Sequence, residues 1–171
     1  MTILFEKSSP LVRAVNAKTP TWFWDGSSSL TVDSKLICAL ESYSDSMSTN
    51  CRICLHSSTE SPCHTMLIVE RKGMNIPPHY HANKSDFVFV IRGTLICFEF
   101  DIDGQIISHV ILKEGQGHKS GLNVIHAIGI NSTSCTYFET SDGPFLKVDD
   151  SVFPSWAAAW HRQYLDVAHN F

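Results

Sequence analysis

The stretch Gly73-Met-Asn-Ile-Pro-Pro-His79-Tyr-His81-Ala-Asn-Lys-Ser-Asp86-Phe-Val-Phe-Val-Ile-Arg-Gly93 decides how the chain is read. In extended chain, side chains two apart project from one face, so His79 and His81 point the same way. Asp86 opens the next apolar run, in which Asp86, Val88 and Val90 share a face. A tight connection through residues 82–85 lets that face look back at the two histidines. A third imidazole comes from His126, on the run that begins near Val124. A lone histidine in a strand usually faces solvent or satisfies a backbone group. Here the spaced pair, the carboxylate, the flanking glycines and the later histidine agree with one another. Three imidazoles and one carboxylate suit a divalent transition metal with positions left open for a ligand, and Fe, Mn, Ni and Zn all accept that donor set.

Working outward, short apolar runs separated by turn signals fill the chain from about residue 65. They are 66–69, 87–91, 94–100, 106–112, 124–130 and 135–139, punctuated by Lys72-Gly73, Arg92-Gly93, Asp103-Gly104 and Glu114-Gly115. Asp103-Gly104 between two β-rich runs predicts a hairpin. Strands at this spacing make an antiparallel sandwich or barrel. Before them, Thr31-Val32-Asp33-Ser34 reads as a capped helix start. Val32, Leu36, Leu40, Tyr43 and Met47 follow at helical spacing and predict one amphipathic helix over 31–47. Residues 1–30 lack a pattern and read as an arm that packs onto a partner subunit, so a homodimer is expected. The domain is placed at 31–157 and a C-terminal tail at 158–171. The tryptophans Trp22, Trp24, Trp156 and Trp160 are expected in packing or dimer contacts rather than in a ligand box.

Composition removes several functional classes. The chain has 171 residues, 43% hydrophobic and 18% charged, which is globular rather than disordered. Its net charge of −4 argues against a nucleic-acid partner, whose footprint is a basic face. No run reaches the ~18 apolar residues of a spanning helix, and the N-terminus lacks a signal-peptide core, so a cytoplasmic protein with no membrane partner is expected. A nucleophile elbow and a phosphate-binding glycine loop are both missing. The expected partner is a small-molecule ligand.

The six cysteines, Cys38, Cys51, Cys54, Cys63, Cys97 and Cys135, are read as reduced thiols, with Cys38 and Cys97 buried in apolar runs. Cys51-x2-Cys54 followed by Cys63-His64 has the ingredients of a structural zinc site, and oxidative pairing of Cys51 or Cys54 with Cys63 is a further option. His118 competes with His126 as the third imidazole.

Gly73-x5-His79-x-His81-x4-Asp86-x6-Gly93 resembles the first cupin motif at every spacing, with Asp86 where that motif usually has Glu. The shorter carboxylate leaves open a three-histidine site or a water bridge. Gly115-x10-His126 resembles part of the second motif. Over residues 30–157 the chain is similar to the WbuC-type cupin metalloproteins found with surface-polysaccharide (O-antigen) synthesis genes. Arg52-Ile-Cys-Leu-His56, Lys84, Glu139-Thr-Ser-Asp-Gly143-Pro144-Phe145 and Phe153-Pro-Ser-Trp156-Ala157 carry that likeness. The resemblance implies an all-β cupin double-stranded β-helix (jelly-roll) barrel, with the helix and the tail outside it. It implies one metal on His79, His81, Asp86 and His126, and a sugar-related context. Arg52, His56 and Lys84 are the candidate substrate contacts. For Arg52 and His56 the alternatives are an ion pair with a helix acid and a hydrogen bond to backbone. The chemistry expected is metal-dependent isomerisation or epimerisation of a sugar or sugar nucleotide, Fe(II) oxygen chemistry on a small non-sugar substrate, or non-catalytic binding.

Overall fold

The computed structural model describes residues 9–72, 76–145 and 150–160. Among these, the strands in chain order are β1 (Leu11–Arg13), β2 (Thr21–Trp24), β3 (Cys51–Cys54), β4 (Cys63–Arg71), β5 (Asp86–Arg92), β6 (Leu95–Phe100), β7 (Ile106–Leu112), β8 (Gly117–Ser120), β9 (Ile125–Ile130) and β10 (Ser134–Asp142), with helix α1 (Ser34–Met47) between β2 and β3. Two sheets result, in the orders β1-β2-β3-β4-β10-β5-β8 and β7-β6-β9. Gly73, the first glycine of the metal-site stretch, lies outside the described residues, as do the tail from residue 161, His161 and His169.

Alternation decides which side chains enter the space between the sheets. On β5, Val88 and Val90 are buried while Phe87 and Phe89 are exposed, the period-two signature of a strand with one covered face. Ile68, Val88, Val90, Leu95, Cys97, Ile130, Cys135 and Tyr137 meet there as one apolar cluster. At the hairpin joining β6 and β7, Gly104 takes φ +87° and lies so close to Trp156 that a Cβ would sit 2.8 Å from its ring. Gly93 likewise holds φ +94° with the Ser134 carbonyl 2.6 Å from where a Cβ would be. Both positions therefore require glycine.

The helix begins later than the periodicity predicts. Asp33, rather than a hydroxyl residue, caps it, accepting from the Leu36 N–H at 2.9 Å. Its buried face is Leu36, Ala39, Leu40, Tyr43 and Ser44, whereas Met47 is 59% exposed. Cys38, expected in the core, is exposed, because it falls two residues from both Leu36 and Leu40 and so on the opposite side of the helix.

Residues 11–24, read as an arm onto a partner, pair within the chain's own sheet. β1 is antiparallel to β2, and β2 runs parallel to β3 with Trp22 opposite Ile53. Trp22 is fully buried against Tyr43, ring centroids 5.0 Å apart edge to face. This second cluster fixes α1 against the outer face of the sheet through Leu40, Ile53, Leu67 and Val69. On the other sheet, Trp156 and Trp160 cover Phe98 and Phe100.

The structural-zinc alternative does not form. Cys51 and Cys54 are three apart in a strand, hence on opposite faces: Cys51 lies against the Leu40 carbonyl of the helix and Cys54 faces the interior. All six cysteines are free thiols, and Cys63 is exposed.

Candidate metal centre and its cavity

His79 precedes β5, outside the named strands. Its backbone instead makes a two-bond antiparallel bridge with His126 on β9, His79 N–H to the His126 carbonyl at 3.0 Å and the reverse at 2.8 Å. Directly opposed residues in such a bridge send their side chains to the same side, and His81, two residues on, joins them. The Asn123 N–H donates to the His81 carbonyl at 3.0 Å and continues the pairing. Asp86 enters from the other sheet at the start of β5. The donor atoms of His79, His81, Asp86 and His126 all lie within 4.8 Å of one another. The four residues singled out in the sequence are therefore brought together.

The hydrogen bonds behind the imidazoles decide what this cluster can hold. Nδ1 of His79 faces the Pro77 carbonyl at 2.9 Å, Nδ1 of His126 faces the Val124 carbonyl at 2.9 Å, and Nδ1 of His81 faces the Asp150 carbonyl. A carbonyl only accepts, so each Nδ1 carries the hydrogen and each Nε2 is left with its lone pair toward the centre. His81 Nε2 and an oxygen of Asp86 are 2.7 Å apart, and His126 Nε2 is 3.6 Å from the same oxygen. Lone pairs this close need a positive charge between them, either a proton or a metal ion. Backbone anchoring of the far ring nitrogen is the usual support of a metal-binding histidine, and the donor set fits a divalent transition metal.

Electrostatics agree. Burial, together with His126, pushes His79 down to about 4, so that imidazole is neutral and able to ligate. Burial alone would raise Asp86, but in the proton-bearing form of the cluster the hydrogen bonds from His126 and His81 Nε2 outweigh it and hold the carboxyl well below its ordinary range. Burial also works against a charged His81, yet in that same proton-bearing form the bonds to Asp86 and the Asp150 carbonyl raise its pKa, so a proton and a metal ion compete for this Nε2.

The cluster forms one wall of a cavity of about 320 Å³. Arg52, Cys54 and His56 face it from β3 and the chain beyond, His64 and Met66 from β4, and Glu139 and Ser141 from β10. His56 and His64 stack with centroids 4.2 Å apart and planes 8° from parallel. Burial, then His64, pushes His56 down to about 4. Burial, then Asp86, pushes Glu139 up to about 7.

Comparison with known proteins agrees with this architecture. A solved structure of CapF with the inhibitor 3-isopropenyl-tropolone superposes at a TM-score of 0.55, with 11% identity over 85% of this chain and 34% of that one. The fold is the cupin fold. An oxalate decarboxylase from Lactobacillus farciminis, as a formate complex, is similar at TM-score 0.47 and 14% identity over 59% of this chain and 29% of that one. A sugar phosphate isomerase of the cupin superfamily from Silicibacter pomeroyi is similar at TM-score 0.41 and 17% identity over 48% of this chain and 52% of that one. The chain thus spans about a third of the length of CapF. A domain of unknown function, DUF6016, matches residues 44–112. No curated protein sequence matches the chain. Among the described residues, no helix is long and apolar enough to cross a membrane.

Within this cupin barrel the remaining candidates separate. His118, the competitor of His126, sits on β8 opposite Val88 with Nε2 3.8 Å from Glu99, outside the cluster. Lys84 lines the cavity, but its ammonium is held by the Asp150 carboxylate at 2.6 Å in a buried ion pair. Arg52 donates from Nε to the Thr21 hydroxyl at 3.1 Å and makes no ion pair with a helix acid among the described residues. His56 meets the Thr65 carbonyl at 3.3 Å, the backbone bond weighed for it, while also facing the cavity. His64 and Glu139 are the residues that sequence reasoning missed. Alternation with Met66 and with Tyr137 put each on the inward face of its strand, but that face is known only once the register is.

Proposed function

We propose that the chain is a cupin metalloprotein in which His79, His81, Asp86 and His126 hold one divalent transition metal, and that it is a metal-dependent enzyme acting on a small polar substrate such as a sugar. The observation that carries this reading is the tautomer arrangement: three imidazoles, each tied by Nδ1 to a backbone carbonyl, aim Nε2 lone pairs at one carboxylate. Such an ion, when bound, supplies Lewis-acid polarisation of a carbonyl or hydroxyl oxygen. The chain's own residues do the rest. Arg52 and His56 line the same cavity and would bind and orient the substrate, and Glu139 is the cavity carboxyl that would hold or accept a proton. The likeness to WbuC-type proteins in Arg52–His56 and Lys84 supports a place in surface-polysaccharide synthesis.

Protein purified without chelator and analysed for metal tests the reading. One divalent ion per chain, lost in His79→Ala and His126→Ala, is the expected result, and full metal content in both variants would overturn it. Turnover or a ligand-induced melting shift with sugars separates an enzyme from a non-catalytic metal module, which would show stoichiometric metal and neither response.

A further inference from the structure

The cavity beside the cluster carries hydrogen-bonding atoms that no protein group among the described residues uses. His56 Nδ1 and His64 Nε2 spend their hydrogens on the carbonyls of Thr65 and Thr59, at 3.3 and 3.1 Å. Their other ring nitrogens, Nε2 of His56 and Nδ1 of His64, are left as bare acceptors on stacked rings that both line the cavity. The Glu139 carboxyl, on the inward face of β10, makes no hydrogen bond and no ion pair within the described residues. Among the described residues Arg52 uses only Nε, on Thr21, which leaves both terminal nitrogens of its guanidinium without a hydrogen-bond partner there.

Register places these groups relative to the cluster. Ser141 is opposite both Asp86 and His64, so His64 lies two strand spacings, about 10 Å, from Asp86. Glu139, opposite Val88, is a diagonal same-face neighbour of Asp86, about 7–8 Å away by backbone. A ligand touching the metal on one side and these groups on the other spans about 10 Å. The cavity's volume of about 320 Å³ lies at the lower end of the range for small-molecule sites. That is the scale of a monosaccharide derivative.

Charge selects further. Lys84 and Asp150 cancel each other. A divalent ion balances Asp86 and Glu139 even with both ionised, and Arg52 then leaves the wall net positive. Acceptor nitrogens call for hydroxyl donors, and a guanidinium with two N–H-bearing nitrogens unused among the described residues calls for an acid group bound in a fork.

We propose that the cavity's ligand is a small hydroxylated acid of about monosaccharide size, its hydroxyls read by His56 and His64 and its acid group held by Arg52. This rests on the metal reading of the cluster and specifies what that centre acts on. A carboxylate and a phosphate monoester share the required chemistry, and separate probes distinguish them.

The test is calorimetric titration of metal-loaded protein with D-glucuronate, D-glucose 6-phosphate, D-glucose and succinate. At least one of the two sugar acids is expected to bind about tenfold or more tighter than glucose, which lacks the acid, and than succinate, which lacks the hydroxyls. Arg52→Met removes the gap between the sugar acid and glucose, Arg52→Lys restores part of it, and His64→Phe removes the gap between the sugar acid and succinate. Metal content is measured for every variant and stays at the wild-type level, because none of the substituted residues belongs to the cluster. Equal binding of glucose and the acids, equal binding of succinate, a gap that survives Arg52→Met, or no binding of any probe to fully metal-loaded protein each overturns the proposal while leaving the metal reading intact. Loss of metal from the wild-type cluster would instead defeat the metal reading itself.

Discussion

His79 and His126 are locked face to face by a reciprocal pair of backbone hydrogen bonds of 3.0 and 2.8 Å, although 47 positions separate them in sequence. Neither imidazole is oriented by its own strand alone. The bridge sets the spacing of the two rings, with centroids 4.7 Å apart, and each Nδ1 is then pinned by a carbonyl two residues earlier in its own chain segment. The cluster is thus preorganised by backbone bonds, the kind of support that orients a metal-binding histidine.

From this follows a contrast between two histidines. His126→Ala should reduce bound metal to background, while His118→Ala should leave it unchanged, since His118 lies beside Glu99 and outside the four-residue cluster. Metal analysis of the two purified variants decides between them, and retained metal in His126→Ala would mean that His118 or another group serves instead.

Lys84 is expected to act on the centre at one remove. Its ammonium holds the Asp150 carboxylate at 2.6 Å, and the carbonyl of the same Asp150 accepts the Nδ1 hydrogen of His81. Lys84→Met should weaken metal affinity, by less than the roughly 10–100-fold loss typical when a direct outer partner of a ligating histidine is removed. A chelator competition titration reads this directly. Unchanged affinity would reduce the pair to a local brace of residues 150–152.

Trp22 tests the place of the N-terminal segment. It is 1% exposed and packs edge to face on Tyr43 of the helix. Trp22→Ala should cost about 3–5 kcal/mol of unfolding free energy, as for other large-to-small changes in a packed interior. Urea unfolding measures it. A loss below 1 kcal/mol would show that β1 and β2 are peripheral to stability.

Glu70 should give stability a pH dependence of a particular sign. It is 3% exposed, and burial pushes its carboxyl up to about 8, against an ordinary value of 4.5, even with the Tyr137 hydroxyl donating to it at 3.0 Å. The unfolded chain releases this proton near pH 4.5 and the folded chain only near 8. Its contribution is therefore fully present below pH 4.5 and is lost as pH rises to 8, by about 1.4 kcal/mol per pH unit. Buried histidines such as His56 and His79, both near 4, act in the opposite sense up to their ordinary value of 6.5, so the difference between wild type and variant is the quantity to read. Glu70→Gln should gain on the wild type steadily between pH 5 and 8 in urea unfolding, and a constant difference would refute the assignment.

Much of the architecture is legible in the chain itself. The apolar runs from 87 to 130 become β5, β6, β7 and β9 within a residue or two, because alternation and glycine turns are local properties. Asp103-Gly104 closes its hairpin for the same reason. β1, β2 and β8 are not legible. They have 3, 4 and 4 residues, too few for a period to show, and they become strands only because a neighbour offers its edge. Cys38 shows a different limit. Its apolar neighbours made it look like core, yet helical geometry turned it outward.

For the site the division is similar. The sequence by itself singled out His79, His81 and Asp86 as candidate donors, because their spacing is a local matter of extended chain and a short connection. The fold decided the rest. Which ring nitrogen each histidine presents depends on carbonyls of Pro77, Val124 and Asp150. That Lys84 is spent on Asp150, 66 positions away, and that His64 and Glu139 face the same cavity as Arg52, depends on strand register. A shift of one residue would turn every one of those side chains to the other face, and nothing within a single strand's sequence specifies its partner's alignment.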